Sequence, residues 1–560
     1  MYTRITKSGP RRYLQLVEGY RDGEGKVKQR VVANLGRIDQ LQSKDLEPLI
    51  RGLQRASGQV PAPASAPEFE PARSFGDLWA LDQLWHSLGL RDALRRGLRS
   101  GRRQFDAETL VRLMVFNRLC EPESKLGVLR WLETVEVPGI DPQAVTHQRL
   151  LRAMDALIDQ REALDAALAR QLRPLLDQDL SVVFYDLTTI RISGVGRVEA
   201  DLRAHGLSKD TGGIARQFAL GLVQTADGLP VDFEVFEGNV AETKTLAPMI
   251  ERLLGRFALK RVVVVADRGM LSLDNVDVLE ALGREQELAV DYILAVPGRR
   301  YGEFTERMAT CHPPLAAQAE ETLEEAVMES QWQGRRLVIA HSPVRAAEQR
   351  QARRERIEAL ESLGERLSRR LDAQDEGKPL KGRRASDRRA YARFQKAVTE
   401  AGLTRIVQPD LQAERFCYDI DEQALAAVER LDGKLLLVTT LEDLCAEEVI
   451  ARYKALADIE RGFRVLKSDI EIAPVYHRLP ERIRAHALIC FLALVLQRVI
   501  RQRLKACGSV LSPDRALRTL RQIQRHTVKI AGQAFPGINR PTPEQKDLFD
   551  QLEVPAPKTN

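Results

Sequence analysis

The spacing of apolar positions changes several times along this chain, and each change predicts an element. In residues 1–45, "RRYLQLVEGYRD" and "KVKQRVVANLGRI" alternate apolar and polar positions on either side of "DGEGK". A period of two around a Gly-bearing turn predicts a β-hairpin module. Residues 57–73 are rich in Pro, Ala and Ser and read as a linker. Across 74–178 the apolar residues recur at three- and four-residue steps, which predicts a helical domain with Asp106 capping one helix.

The period then shortens again. "LSVVFYD" and "RVVVVAD" are continuous apolar runs that predict buried strands, each leading into an aspartate, Asp186 and Asp267. Between them "RQFALGLVQTADGLPVDFEVFEG" predicts a hairpin and 242–256 a helix; "DYILAVP" follows as a further strand. Strand, hairpin, helix and strand in that order predict an α/β fold, a mixed sheet with helices on its faces, over 179–300. Residues 301–445 mix strands with a highly charged helical segment, 343–402, whose seam is Ile357, Leu360, Leu363, Leu367 and Leu371. That seam suits a helical hairpin or a contact between two copies. Residues 446–506 return to apolar helices. Their longest apolar run, Ala487 to Leu496, is too short to cross a bilayer and reads as a core helix. The tail, 507–560, carries one short helix, "DRALRTLRQIQRH", and a frayed Pro- and Lys-bearing end.

One stretch, 451–468, adds chemistry to pattern. Leu456, Ile459, Phe463 and Leu466 form an apolar stripe. Tyr453, Glu460 and Lys467 stand seven residues apart, in a column along one helical face. A solvated surface with a Glu–Lys pair gives the same spacing. The two aspartates at predicted strand ends tip the reading, because open α/β sheets gather polar groups there. Asp186, Asp267 and Glu460 then make a three-carboxylate set suited to divalent metal and phosphate.

Composition narrows the classes. The chain has 560 residues, too many for a single core, and an apolar fraction of 44%. Its net charge is only +6, but the basic residues cluster: Arg95, Arg96, Arg99, Arg102 and Arg103 in one place, Lys381 to Lys396 in another. The second serves equally as a solvated face or a DNA-backbone face; for the first, DNA contact has the edge over a helical packing domain with exposed arginines. Lys209 lies in the Gly-rich loop "HGLSKDTGG" and is a further DNA candidate, though an ordinary surface loop is the stronger reading of that stretch. Six scattered cysteines with no CxxC pair fit a reducing cytoplasm rather than a zinc site or a disulfide framework. The N-terminus has no apolar run of the signal-peptide kind, so the expected location is cytoplasmic, without a membrane partner.

The words "FYDLTTI", "ADRGMLS", "EGNVAETKTL" and "FRVLKSDIEIAPVYHRLPERIRAHALICFLAL" resemble the DDE transposases of the IS4-like group, most closely the IS1634 family of bacterial insertion sequences. That group carries Tyr-x2-Arg-x3-Glu-x6-Lys; this chain has Tyr453, Leu456, Glu460 and Lys467, so the Arg position is Leu. The resemblance implies an RNase H-like catalytic core interrupted by a β-rich insertion and preceded by the β-hairpin module and a helical end-binding domain. It implies Asp186, Asp267 and Glu460 as catalytic ligands of two Mg²⁺ ions, with Mn²⁺ as a substitute. Tyr453, Lys467, Arg464 and Arg268 are then DNA contacts, with Arg452, Arg461 or Arg464 replacing the missing Arg. The implied partners are terminal inverted repeats, target DNA and a second copy in a synaptic complex. The implied activity is cut-and-paste transposition; an inactive DNA-binding relative and a metal-dependent nuclease without strand transfer are the alternatives.

Overall fold

A computed structural model describes residues 1–41, 43–58, 67–98, 105–173, 182–194, 201–208, 213–257, 261–267, 273–285, 289–304, 306–308, 324–378, 384–530 and 532–558. They fall into two compact units, 1–72 with 525–538, and 73–524 with 539–560. Arg99, Arg102, Arg103, Lys209, Arg268, Lys381 and residues 59–66 of the expected linker lie outside the described residues.

The first unit holds an antiparallel meander of β1 (Tyr2–Ser8), β2 (Arg11–Arg21) and β3 (Val27–Arg37). The expected hairpin is β2–β3. Its turn is fastened by Asp22, whose Oδ1 accepts from the amides of Glu24 (3.1 Å) and Lys26 (3.0 Å). The helix Ser43–Ala56 follows. A short strand, β4 (Glu68–Phe69), pairs with a strand from far along the chain, β17 (Gln524–Ile530), which also pairs with β18 (Gln533–Ile538).

The second unit opens at β5 (Arg73–Ser74), where Ser74 bridges to Val135. Its helices Gly76–Ser87, Ala107–Cys120 and His147–Asp159 pack around the long apolar helix Pro480–Ala506. Asp106 does cap its helix, accepting from Thr109 N at 3.3 Å. Ala107–Cys120 is buried almost all round, so residues 74–172 share one core with the later helices. Pro480–Ala506 is long and apolar enough to span a membrane, but it is sheathed by the protein along nearly its whole length, as a core helix is.

The central sheet is assembled from β6 (Val182–Arg191), β7 (Ala204–Leu207), β8 (Ile214–Thr225), β9 (Pro230–Glu237), β10 (Arg261–Ala266) and β11 (Ala289–Ala295). β9, β8 and β6 are antiparallel neighbours; β10 lies parallel to β6, and β11 parallel to β10. Numbering those five strands by sequence, their order across the sheet is 3-2-1-4-5. That is the mixed sheet expected of an RNase H-like core.

The region between the second aspartate and the glutamate departs from expectation. β12 (Ala326–Trp332) and β13 (Arg335–His341) form a hairpin, and β14 (Val407–Asp410) with β15 (Cys417–Ile420) forms a small separate sheet. β13 pairs with β16 (Lys434–Thr439), and β16 pairs with β11. These strands therefore extend the central sheet instead of building a β-rich insertion. Leu337–Ala340 and Leu435–Val438 are buried on both faces, and only an interior sheet position covers a continuous apolar run. What is inserted, residues 343–433, is mostly helical. Pro343–Asp375 packs along Asp387–Ala401, and Leu360 and Leu371 of the predicted seam join Phe394, Val398 and Phe416 in a closed cluster. The seam is filled within the chain, so the helical-hairpin reading holds.

The tail is also a correction. It is folded, not frayed: helix Pro513–Arg521, the β17–β18 hairpin, and helix Pro543–Gln551, with Leu548, Phe549 and Leu552 buried. Trp79 Nε1 donates to Pro555 O at 2.7 Å and ties the end down.

Candidate active site

The parallel seam between β6 and β10 sets the two aspartates side by side. Paired residues run from Val263–Val182 to Ala266–Tyr185, so continuing the register by one step puts Asp267 opposite Asp186. Asp267 stands just past the end of β10, as its apolar run implied. Asp186 does not end its strand. β6 continues to Arg191 because β8 pairs with it along that whole length, from Val183–Thr225 to Arg191–Gln217. The aspartates thus sit where one strand stops and its neighbour carries on, a notch in the sheet.

Glu460 comes from the helix Ala457–Ser468, which packs on β6. Ile459, Phe463 and Leu466 are buried, as the stripe predicted, and Glu460 is exposed beside them. The helix is not the continuous one that the column of Tyr453, Glu460 and Lys467 assumed. Ala446–Lys454 ends, the backbone turns at Ala455 and Leu456, and a second helix begins. Leu456 is 7% exposed, and its packing makes the turn. Tyr453 still reaches the site, from a different direction: its hydroxyl donates to Asp267 Oδ1 at 2.9 Å.

Asp186, Asp267, Glu460, Arg464 and Lys467 line one open cleft of about 620 Å³, together with Leu187, Thr188, Phe463 and Ser468. Asp186 Oδ1 accepts from Leu187 N at 2.6 Å, which fixes that carboxylate at the wall. The donor set is all oxygen, which suits a hard divalent cation. Among the described residues no three such side chains close into a ready-made metal cage. An open set of carboxylates is what a cation needs if water and a substrate phosphate are to complete its shell. Arg268 falls outside the described residues, as does Lys209.

A contact beneath the helix escaped the sequence reading. Gln224 on β8 is fully buried, with its side-chain amide against Gly462 of the glutamate helix. A Cβ at Gly462 would come within 2.2 Å of Gln224 Nε2 and 3.3 Å of an Arg498 guanidinium nitrogen. The helix approaches the sheet this closely because residue 462 has no side chain. A glycine inside an amphipathic helix was the visible signal.

A notched mixed sheet with two aspartates at a parallel seam, faced by a glutamate on a helix, is an arrangement of the RNase H-like class. Residues 177–496 match the family described as Transposase DDE domain, and residues 2–67 match IS1634 family transposase, N-terminal domain. The chain belongs to the DDE transposases of the IS1634 family, which are insertion-sequence transposases. No curated protein matches it.

Proposed function

We propose that this transposase moves its element by cut-and-paste: it hydrolyses DNA at the terminal inverted repeats and joins the freed 3′ ends to target DNA. The observation that carries this reading is the convergence of Asp186, Asp267 and Glu460 on one cleft with Arg464 and Lys467. Asp186, Asp267 and Glu460 would hold Mg²⁺, which would supply an activated water and charge neutralisation at the leaving oxygen.

The chain's own residues do the rest. Lys467 and Arg464 hold the scissile strand by its phosphates, a contact that positions without reading sequence. Arg464, on the same cleft wall, takes the place of the guanidinium that Leu456 lacks. The Tyr453 hydroxyl steadies Asp267 through its 2.9 Å hydrogen bond. Two copies acting on paired ends are needed to excise an element, so the working form on DNA is a dimer, in the cytoplasm where that DNA lies.

The test is Mg²⁺-dependent cleavage of a labelled duplex ending in the element's terminal repeat. Wild type should cut at the repeat boundary. Asp186→Ala, Asp267→Ala and Glu460→Ala should each bind that duplex with unchanged affinity and lose at least a thousandfold in rate, in the range seen when a central catalytic group is removed. A variant that still cuts at the wild-type rate removes its residue from the set.

A further inference from the structure

A second cavity, of about 830 Å³, lies between the helical layer and residues 471–482, outside the carboxylate cleft. Three helices begin at its wall. Leu126 caps Gly127–Thr134, His147 opens His147–Asp159, and Leu479 caps Pro480–Ala506. Neither Leu126 nor Leu479 offers a side-chain cap. Ser124 Oγ and Thr146 Oγ1 already accept from Gly127 N (3.0 Å) and Arg149 N (3.2 Å), so what these helix starts bring to the cavity is partial positive charge, which favours an anion.

The side chains agree with the backbone. Lys125 lines the cavity at 6% exposure and makes no hydrogen bond or ion pair among the described residues. Arg118 beside it is spent on carbonyls, those of Glu471 (3.1 Å), Ile470 (3.4 Å) and Glu123. Arg478 stands at the rim, and Arg482 is paired with Asp155 at 2.8 Å. Two carboxylates, Glu123 and Glu471, also face the space. His477 and His486 are held neutral by burial and by the Lys125 and Arg118 charges. A buried ammonium without a partner is costly to the fold, and burial drives its pKa down to about 7.

We infer that this cavity is a phosphate-binding site in which Lys125 pairs with a phosphoryl oxygen beneath three helix N-termini. Its place suggests the source. Ser193 N donates to Val475 O at 2.9 Å, and Val475 N to Arg191 O at 3.2 Å, so the cavity wall is stitched to the far end of β6. Arg191 lies five residues beyond Asp186, about 16 Å along a strand. A DNA strand cut at the carboxylates would carry its backbone past this point, an assignment that rests on the proposed function; free inorganic phosphate is the other source.

The experiment compares full-length wild type with Lys125→Met in two measurements. Millimolar inorganic phosphate should raise the wild-type melting temperature relative to chloride at equal ionic strength, and leave Lys125→Met unmoved. For duplex DNA, the salt dependence of log K should become shallower by about one in Lys125→Met, at any sequence. Without phosphate, Lys125→Met should melt no lower than wild type, which a lysine serving only the fold would not allow. Protection by phosphate with an unchanged DNA slope assigns the site to free anion; a shallower slope assigns it to the DNA backbone. Neither effect in a folded variant overturns the inference, and Lys125→Gln stands in if Lys125→Met fails to fold. Both readouts survive failure of the cleavage assay, because any duplex carries the phosphates.

Discussion

Leu456 occupies the position that the signature of similar transposases gives to Arg, and its surroundings make the exchange a one-way change. The side chain is buried in the turn between two helices. Leu456→Arg would place a guanidinium at a buried position. The expected outcome is a loss of about 2–4 kcal/mol of stability, read as a lower melting temperature, with no gain in cleavage. A Leu456→Arg chain that melts like wild type and cuts faster would show that the new side chain escapes into the cleft. Asp186 and Asp267 were readable because each follows a continuous apolar run, and Glu460 because it lies beside the apolar stripe of one helix. Tyr453 was readable as a member of the site but not by its partner. Its bond to Asp267 depends on a helix break that a seven-residue spacing conceals.

At the level of elements, the proposed role of Glu460 depends on how closely its helix lies on the sheet. Gly462 sets that distance, with Gln224 directly below it. Gly462→Ala should lift or tilt the helix by a fraction of an ångström and carry Glu460 away from the aspartates. A cleavage rate at least tenfold lower, with DNA affinity retained, is the expected result, and Gln224→Ala in the same chain should restore part of it. If Gly462→Ala cuts normally, the helix has slack that the static contact does not reveal. The strands 335–341 and 434–439 were legible as strands from their apolar runs. Their membership in the central sheet was not, because a run that needs cover on both faces does not say which sheet supplies it. The charged hairpin's seam was equally silent about its partner, which proved to be Phe394 and its neighbours.

Across the whole molecule, the last residues were the least readable. Their polar composition suggested fraying, yet a few large apolar residues, Leu548, Phe549 and Leu552, are buried. Trp79, more than four hundred residues earlier, is bonded to Pro555. Removing 524–560 should therefore damage both units. The first would lose the strand that pairs with β4, and the second the packing of Phe549 and Leu552, of the order of 2–5 kcal/mol per large side chain. Limited proteolysis should show new cleavage within 1–72 and a lower melting temperature overall. A truncated chain as resistant as the intact one would mean that the hairpin and the last helix are ornaments.

The pairing of β4 with β17 also fixes an order of events during synthesis. A ribosome delivers Glu68 and Phe69 early, but their partners Lys529 and Val528 come some 460 residues later. At the usual pace of roughly 5–20 residues per second, the opening segment waits tens of seconds for its last strand. The first unit to emerge is thus finished only when synthesis is nearly over. A message cut short would not yield a shorter version of this protein but one whose beginning was never completed.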